Sequence, residues 1–548
     1  MTTIPSTTAS AAIREAISQR AATEFLTLTM VREQPIGNPN RGEDGQPKSC
    51  PLGKTRRTYR SPQSQKALMR HLRGDGGLDG TIERIQAMIG GAAALSMSVR
   101  TRDMDLLMAD EFARRRAAGA PCGNDIPEEM LKRAAATLSK IIGGKKSDTE
   151  GQGGAVADTD ADGQAGDDDD GNADAENQGG GNGAANAAEK KASAKGAIVV
   201  FGRPEMALLA DALLEALNDD LLKLEVVKAA GDKKKTKDAL KKVEAAVKAK
   251  FSPAKKKKKK ADGKDGKSAA PNGETETAVQ ADSDEQADSD EKVGIWKTRA
   301  EMRKICACGL DGAIMGTMAT NGDRPQANSA VAIGYEFSVH EADIFDDPFT
   351  AMDDLQPDGQ HGAAHMNFRG LMSGLMLGTM MIDIGQMIRN VTADKAIRDK
   401  GGDWRLAPDE DFKIAAEIVA ATISAWVEAN VTAVHSNSAA ATKPMFILVE
   451  RCVRSPISHA GAFLEAVSVK RHENEGIVVK TAKRLASHVA DYQSAYQYAD
   501  ETRWLAVEDA FADAFSGKMP SAARCDSFAD LLGHVRDLTR RTRRVARG

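Results

Sequence analysis

The sequence predicts an α+β fold of the ferredoxin-like kind, with strands and helices alternating around one sheet. Three observations carry that expectation. Glu24–Val31 largely alternates apolar and polar residues, the period of a half-buried strand. A short basic strand at Arg56–Arg60 runs straight into a helix over Ser61–Leu72, where Ser61 suits the cap and Pro62 the first turn. A long helical pattern at Phe412–Asn430 is followed by a strand-like run at Met445–Arg451.

The remaining elements follow in order. Ser329–Glu341 reads as a strand and Ile477–Thr481 as another; Val489–Ala512 reads as a helix. No fixed-period repeat is visible. The chain of 548 residues divides into three regimes, 23–144, 145–292 and 293–548. The middle regime opens on Gly, Asp, Asn and Ala over 147–189, which holds almost no large apolar residue and cannot offset chain entropy by burial. Within it, Met206, Leu208, Leu209, Leu213, Leu214, Leu217, Leu221 and Leu222 recur at helical spacing, and Lys233–Lys250 continues as a charged helical pattern. Six consecutive lysines, Lys255–Lys260, and an acidic tract ending at Glu291 complete it. The expectation is one or two helices set in long polyampholyte linkers, with 147–196 and 252–292 disordered and 147–292 dispensable for assembly.

Composition narrows the function classes. No apolar run of about 18 or more residues suggests a membrane span. Met1–Ala22 lacks the basic start and apolar block of a secretion signal. Six scattered cysteines do not make a disulfide framework, which fits a reduced, cytoplasmic chain. The net charge is −4, but segments matter more: 145–292 carries 31 acidic and 25 basic residues, so the remainder is close to neutral. Any affinity for nucleic acid must come from local patches.

The densest such patch is Gly45–Gly74, which holds Lys48, Lys54, Arg56, Arg57, Arg60, Lys66, Arg70 and Arg73 and no acidic residue. Phosphate neutralisation needs this local positive density, and Ser61, Gln63, Ser64 and a helix start add hydrogen-bond donors. Lys66 and Arg70, at i and i+4, project from one helical face. A solvated basic face is the bland alternative. A second signal is Gly309–Gly322, whose close glycines permit near approach of a ligand and whose Met315 and Met318 suit flat apolar faces; a structural bend is its commoner meaning. The third is Glu341–Leu355, an acidic run with Phe345, Phe349 and Leu355 that looks like an exposed hairpin.

Metal and catalytic readings are weak. Asp158–Gly163 opens like a calcium loop but places Asp169 at the last ligand position. His361 and His365 lack a general-base Glu between them, and Cys306 and Cys308 lack a second pair. No Walker loop, nucleophile elbow, HExxH or dinucleotide fingerprint is present. The expectation is a non-enzyme with no cofactor, no catalytic residue and no metal.

Taken in order, these segments resemble the CasC family, the Cas-seven backbone protein of type I-E CRISPR Cascade. The matching stretches are Asn40-Arg41 with Lys48, Arg56-Arg57, Ser61-Pro-Gln-Ser64 with Lys66 and Arg70, Gly316–Thr320, Phe349–Leu355 and Thr442–Val449. They cover about 23–75 and 300–510. The resemblance implies a right-hand shape: a modified RNA-recognition-motif palm, helical fingers and a thumb hairpin. The corresponding divisions are a flexible tail at 1–22, palm at 23–75, and fingers at 76–305 including the 145–292 low-complexity insertion. The palm resumes at 306–342, the thumb spans 343–377, palm and helical remainder span 378–535, and an Arg-rich tail spans 536–548.

It further implies copies lined along the guide RNA in a filament, each thumb flipping out one nucleotide, with target DNA read by guide pairing. Implied partners are the CRISPR guide RNA, target DNA, further copies of the chain, and other Cascade subunits: the large subunit, the small subunit, a Cas-five type cap and the guide-processing endonuclease. No membrane is implied. The family's guide contacts carry over to Asn40, Arg41, Lys48, Ser61, Gln63, Lys66, Arg70 and Met318, and Arg57 and Arg60 join them from the basic patch. Departures exist: Thr317 stands where the family usually has Arg, and Ala67 where it has a second cation. One rival reading is a type III-like backbone subunit that cleaves target RNA with a metal, using Asp44 or Asp311; another is a stand-alone RNA chaperone that never assembles.

Overall fold

The computed structural model describes residues 24–90, 95–101, 104–122, 124–142, 199–229, 232–251, 298, 301–317, 327–351, 365–399, 401–429, 441–452, 455–468, 475–519 and 523–545. Their architecture is α+β around an antiparallel sheet of nine strands.

Strand β1 (Phe25–Gly37) is the centre of that sheet because both its edges are paired: Thr29 faces Leu448 on one side and Thr379 on the other. Leu26, Leu28 and Met30 enter the main core, where Ile382, Ile414, Ile418 and Val449 meet them. The opposite face, with Val31, Leu377, Phe446 and Leu448, packs on a second cluster around Leu485, Phe511 and Phe515. A strand buried on both faces tolerates the apolar run that blurs its alternation.

β2 (Ser49–Leu52) and β3 (Thr55–Arg60) form a hairpin, and β3 leads through Ser61 into α1 (Pro62–His71). Ser61 Oγ accepts the Ser64 amide and Pro62 opens the helix, as the sequence requires. The single strand expected at Ser329–Glu341 is two short ones, β6 (Val331–Ile333) and β7 (Glu336–Ser338). Both pair with the same partner strand, and the regular ladder is interrupted between them, where Gly334 N still donates to Thr379 O at 2.8 Å.

β8 (Ile344–Ala351) and β9 (His365–Asp383) make the acidic segment an antiparallel hairpin. Phe345, Phe349 and Phe368 are exposed on it; its connection, 352–364, with Leu355, lies outside the described residues. β9 has two halves. Residues 365–372 pair with β8, while Met372 and 374–383 pair with β1. Met372, Leu375, Met376 and Leu377 are buried in the sheet. The segment expected as thumb, 343–377, therefore includes sheet residues 374–377, because the apolar pattern does not change where the strand leaves the core.

The C-terminal third differs from expectation at two elements. Ile477–Thr481 is not a strand but the start of helix Ile477–Tyr496, and Val489–Ala512 is that helix, then β11 (Ala499–Ala506), then helix Asp509–Ser516. The β-branched run Ile477-Val-Val looked strand-like locally. Yet Ala482, Leu485, Ala486 and Val489 recur at i, i+3 and i+4, and that stripe buries against the sheet. Gln497 adopts left-handed backbone, φ 47°, and ends the helix; β11 then joins β10 (Pro444–Cys452).

A separate helical core holds Met104–Ala117, Glu128–Ile142, Arg203–Leu217, Asp220–Ala229 and Lys233–Phe251. Leu138, Leu209, Leu213, Val243, Val247 and Phe251 are fully buried together. The lysine-rich helix joins because Ala239, Val243, Val247 and Phe251 fall on one face at i+4 steps. Its entry is a two-stranded sheet, β4 (Val99–Thr101) with β5 (Val199–Phe201). The reading of 147–292 as dispensable for assembly took no account of this packing, in which 199–251 builds core with 104–142. The tracts expected to be disordered, 147–196 and 252–292, with the six lysines and the calcium-like loop, lie outside the described residues. Among the described residues no helix is long and apolar enough to cross a membrane.

Candidate nucleic-acid interface

The loop before β2 sets the first part of the site. Asn38 Nδ2 donates to Gly45 O at 2.9 Å, and Gln46 Nε2 donates to Asp346 Oδ1 of the hairpin at 3.0 Å. This ties loop 38–48 to the base of the hairpin. Asn40 then reaches across: its Oδ1 accepts the Ser61 amide at 2.9 Å, and its carbonyl accepts the Lys48 amide at 2.8 Å. Three expected contact residues, Asn40, Lys48 and Ser61, are thereby held by hydrogen bonds. Arg41 and Gln63 are exposed beside them.

Helix α1 carries the cations. Lys66 is half-buried, and burial together with the neighbouring Arg100 guanidinium lowers its pKa. Among the described residues Lys66 has no carboxylate partner, and the Arg100 guanidinium adds to the positive potential at its ammonium. Such a region draws phosphate. Arg100 sits on β4, far from α1 in sequence, and only the fold brings it there. Arg70 is on the same face but is engaged, its Nε donating to Asp311 Oδ2 at 2.6 Å.

Two expected contacts are corrected. Arg57 is fully buried and donates to Ser338 O at 2.9 Å, Phe463 O at 3.1 Å and Thr55 Oγ1 at 2.9 Å. Arg60 is 2% exposed and pairs with Glu336 at 3.3 Å, which also lies 3.6 Å from Arg32. Burial pushes the Arg32 pKa down to about 10. Guanidinium groups spent inside on carbonyls and a carboxylate have nothing to offer a phosphate in solvent. Arg57 and Arg60, three residues apart on β3, point to opposite faces of the strand, and the fold covers both faces there. Arg57 and Arg60 are the scaffold of the site rather than its surface.

The glycine signal also changes meaning. A Cβ on Gly309, φ 77°, would lie 2.5 Å from Ser98 N, and one on Gly316, φ 84°, 2.9 Å from Ser329 N. The close approach these glycines permit is to the chain's own backbone. Met318 lies outside the described residues. Asp311 is fully buried, accepting from Ser98 N at 2.5 Å and Ser98 Oγ at 2.6 Å as well as from Arg70. A carboxylate so enclosed holds structure together. Asp44 is exposed and accepts the Gln46 amide at 3.0 Å.

Comparison with known proteins extends this picture. A solved structure described as "CRISPR RNA-guided surveillance complex, pre-nicking" is similar in fold, with 16% identity, 94% of this chain and all of that chain covered, and a TM-score of 0.53. A second match, "CRISPR RNA-guided surveillance complex", has 14% identity, 94% and 99% coverage, and a TM-score of 0.46. No curated protein matches. The family described as CT1975-like protein matches over residues 26–532, nearly the whole length. The chain therefore belongs to the CT1975-like protein family, a Cas-seven family.

Proposed function

We propose that this chain is the guide-RNA-binding backbone subunit of a CRISPR surveillance complex of type I-E, and that it holds RNA without cutting it. The observation that carries this reading is the hydrogen bonding of Asn40 to Lys48 and to Ser61, which ties loop 38–48 to the start of the helix on which Lys66 feels Arg100. Oriented neutral donors beside two neighbouring cations suit a sugar-phosphate backbone, which carries no sequence information of its own. A protein that grips only the backbone leaves the base edges for pairing with target DNA.

The sheet serves as the palm, of RNA-recognition-motif type, with β1 between β10 and β9. The helical core at 104–251 serves as fingers. The hairpin serves as thumb, and its exposed Phe345, Phe349 and Phe368 would pack on a neighbouring copy. Thumb and loop 38–48 are joined through Gln46 and Asp346, so a thumb docked next door would hold the RNA-facing loop in place. The other Cascade subunits complete the assembly.

Purified complex should contain RNA of discrete length bearing repeat-derived sequence, and chemical probing should show one reactive nucleotide at a fixed interval. Uniform reactivity along the RNA would sink the filament mechanism. Removing 346–369 with a short turn should stop filament growth while leaving the sheet folded, because the trimmed residues lie beyond Met372. RNA cleavage in Mg²⁺ or Mn²⁺ that disappears in Asp44→Ala would overturn the non-catalytic reading.

A further inference from the structure

A pocket of 380 Å³ opens on a different part of the molecule, lined by Lys304, Asn328, Gln386, Arg389, Arg398, Asp399 and Gly401. Three of these side chains are cations and one is a carboxylate. The carboxylate is already engaged: Asp399 takes Arg398 at 2.9–3.2 Å through both oxygens. Arg398 also donates to Glu301 O at 3.1 Å and Met302 O at 3.0 Å, so it forms the wall.

Lys304 and Arg389 are different. Among the described residues Lys304 donates to Arg398 O alone, at 3.5 Å, and Arg389 to Gly402 O alone, also at 3.5 Å. Neither has a carboxylate within ion-pair distance among those residues. Both are half-buried. Burial is the chief influence lowering the Lys304 pKa; Asp399, beyond ion-pair distance, opposes it, and Arg398 and Arg389 add to the lowering. Two partly desolvated cations facing one cavity repel each other, and an anion between them removes that cost. The wall is rigid as well. Asn390 is fully buried and donates to Ala313 O at 2.7 Å and Asn328 O at 2.8 Å, while Gln386 Nε2 donates to Asn390 Oδ1 at 2.9 Å. These bonds fix the backbone from which the Asn328 amide side chain projects.

We propose that this pocket is a phosphate-binding site, with Lys304 and Arg389 as its charged clamp and the Asn328 amide as an added donor. The chemistry suits a phosphodiester of a nucleic-acid strand or a free phosphate group. The site shares no residue with the surface at 40–70, so it stands whether or not that surface holds guide RNA.

The test uses the full chain stripped of RNA by nuclease and high salt. Its thermal midpoint is compared in inorganic phosphate and in sodium chloride at equal ionic strength. Phosphate should raise the midpoint of the unmodified chain and of Lys66→Ala. It should not raise that of Lys304→Gln/Arg389→Gln, while Lys304→Arg/Arg389→Lys, which keeps both charges, should keep the response. No phosphate response in the unmodified chain, or an equal response in the Gln pair, overturns the proposal. A second arm measures binding of a 20-nucleotide single-stranded RNA against salt. A slope reduced by roughly 0.7–1.4 in the Gln pair assigns the site to one or two strand phosphates. An unchanged slope, with the phosphate response lost, assigns it to a free phosphate group.

Discussion

Arg70 and Asp311 are joined by a 2.6 Å charge-assisted hydrogen bond that fastens helix α1 to the segment before β6, across 241 residues of sequence. The same carboxylate accepts twice from Ser98. One buried anion thus locates helix α1, the start of the helical region and the glycine-flanked helix Leu310–Met315 relative to each other.

Asp311→Ala should therefore destabilise the chain by about 3 kcal/mol, because it leaves Arg70 and the Ser98 amide without their partner. Arg70→Ala should cost stability as well as RNA affinity. Chemical denaturation alongside RNA binding separates the two effects. An Arg70→Ala protein of unchanged stability would show that the pair contributes nothing to the fold.

Lys66→Ala should leave the denaturation midpoint within error and weaken RNA binding alike for every guide sequence, with the salt slope falling by about 0.7. Arg57→Ala should do the reverse in kind: it empties a buried site of four hydrogen-bond acceptors and should cost roughly 3 kcal/mol. Guide-dependent losses for Lys66→Ala would mean that the side chain reads bases.

Deleting 199–251 should expose Leu138, Met130 and Ala134, which lose their packing partners Leu209, Leu213, Val243 and Val247. The outcome is a chain that aggregates or digests rapidly within 104–142. Deleting 147–196 alone removes no described packing residue and should leave the thermal midpoint unchanged. A well-folded protein lacking 199–251 would show that 104–142 is stable by itself.

His340 offers a pH test. Its Nδ1 lies 2.7 Å from Glu341 O and its Nε2 is buried without a hydrogen bond; burial lowers its pKa below 6.5, the Glu341 carbonyl opposes this, Arg57 adds to it and Asp343 opposes it. The unfolded chain takes up that proton near pH 6.5 while the folded chain resists it. Its contribution to stability is therefore present above pH 6.5 and lost as pH falls below that value. The melting temperature should drop between pH 7.5 and 5.5, and His340→Gln should make the drop smaller. An equal drop in the variant would place the titration elsewhere.

The features legible before any fold was known are local or strongly patterned. Ser61 and Pro62 set the start of α1, the Glu24–Val31 alternation marked β1, and the run from Phe412 marked a buried helix, because caps and periodicity act over a few residues. The ordered motifs at 40–70, 316–320 and 349–355 carried the family. Which cations face outward was settled by packing. Arg57, Arg60 and Lys66 look alike in a string of letters, but β3 turned both arginines inward to carbonyls and Glu336, while the helix left Lys66 beside Arg100. Packing also made Ile477 begin a helix, since the apolar stripe beyond it had a sheet to cover, and made 199–251 core, since five helices that bury little alone share one interior. Long-range burial, which no short window contains, made each of those choices.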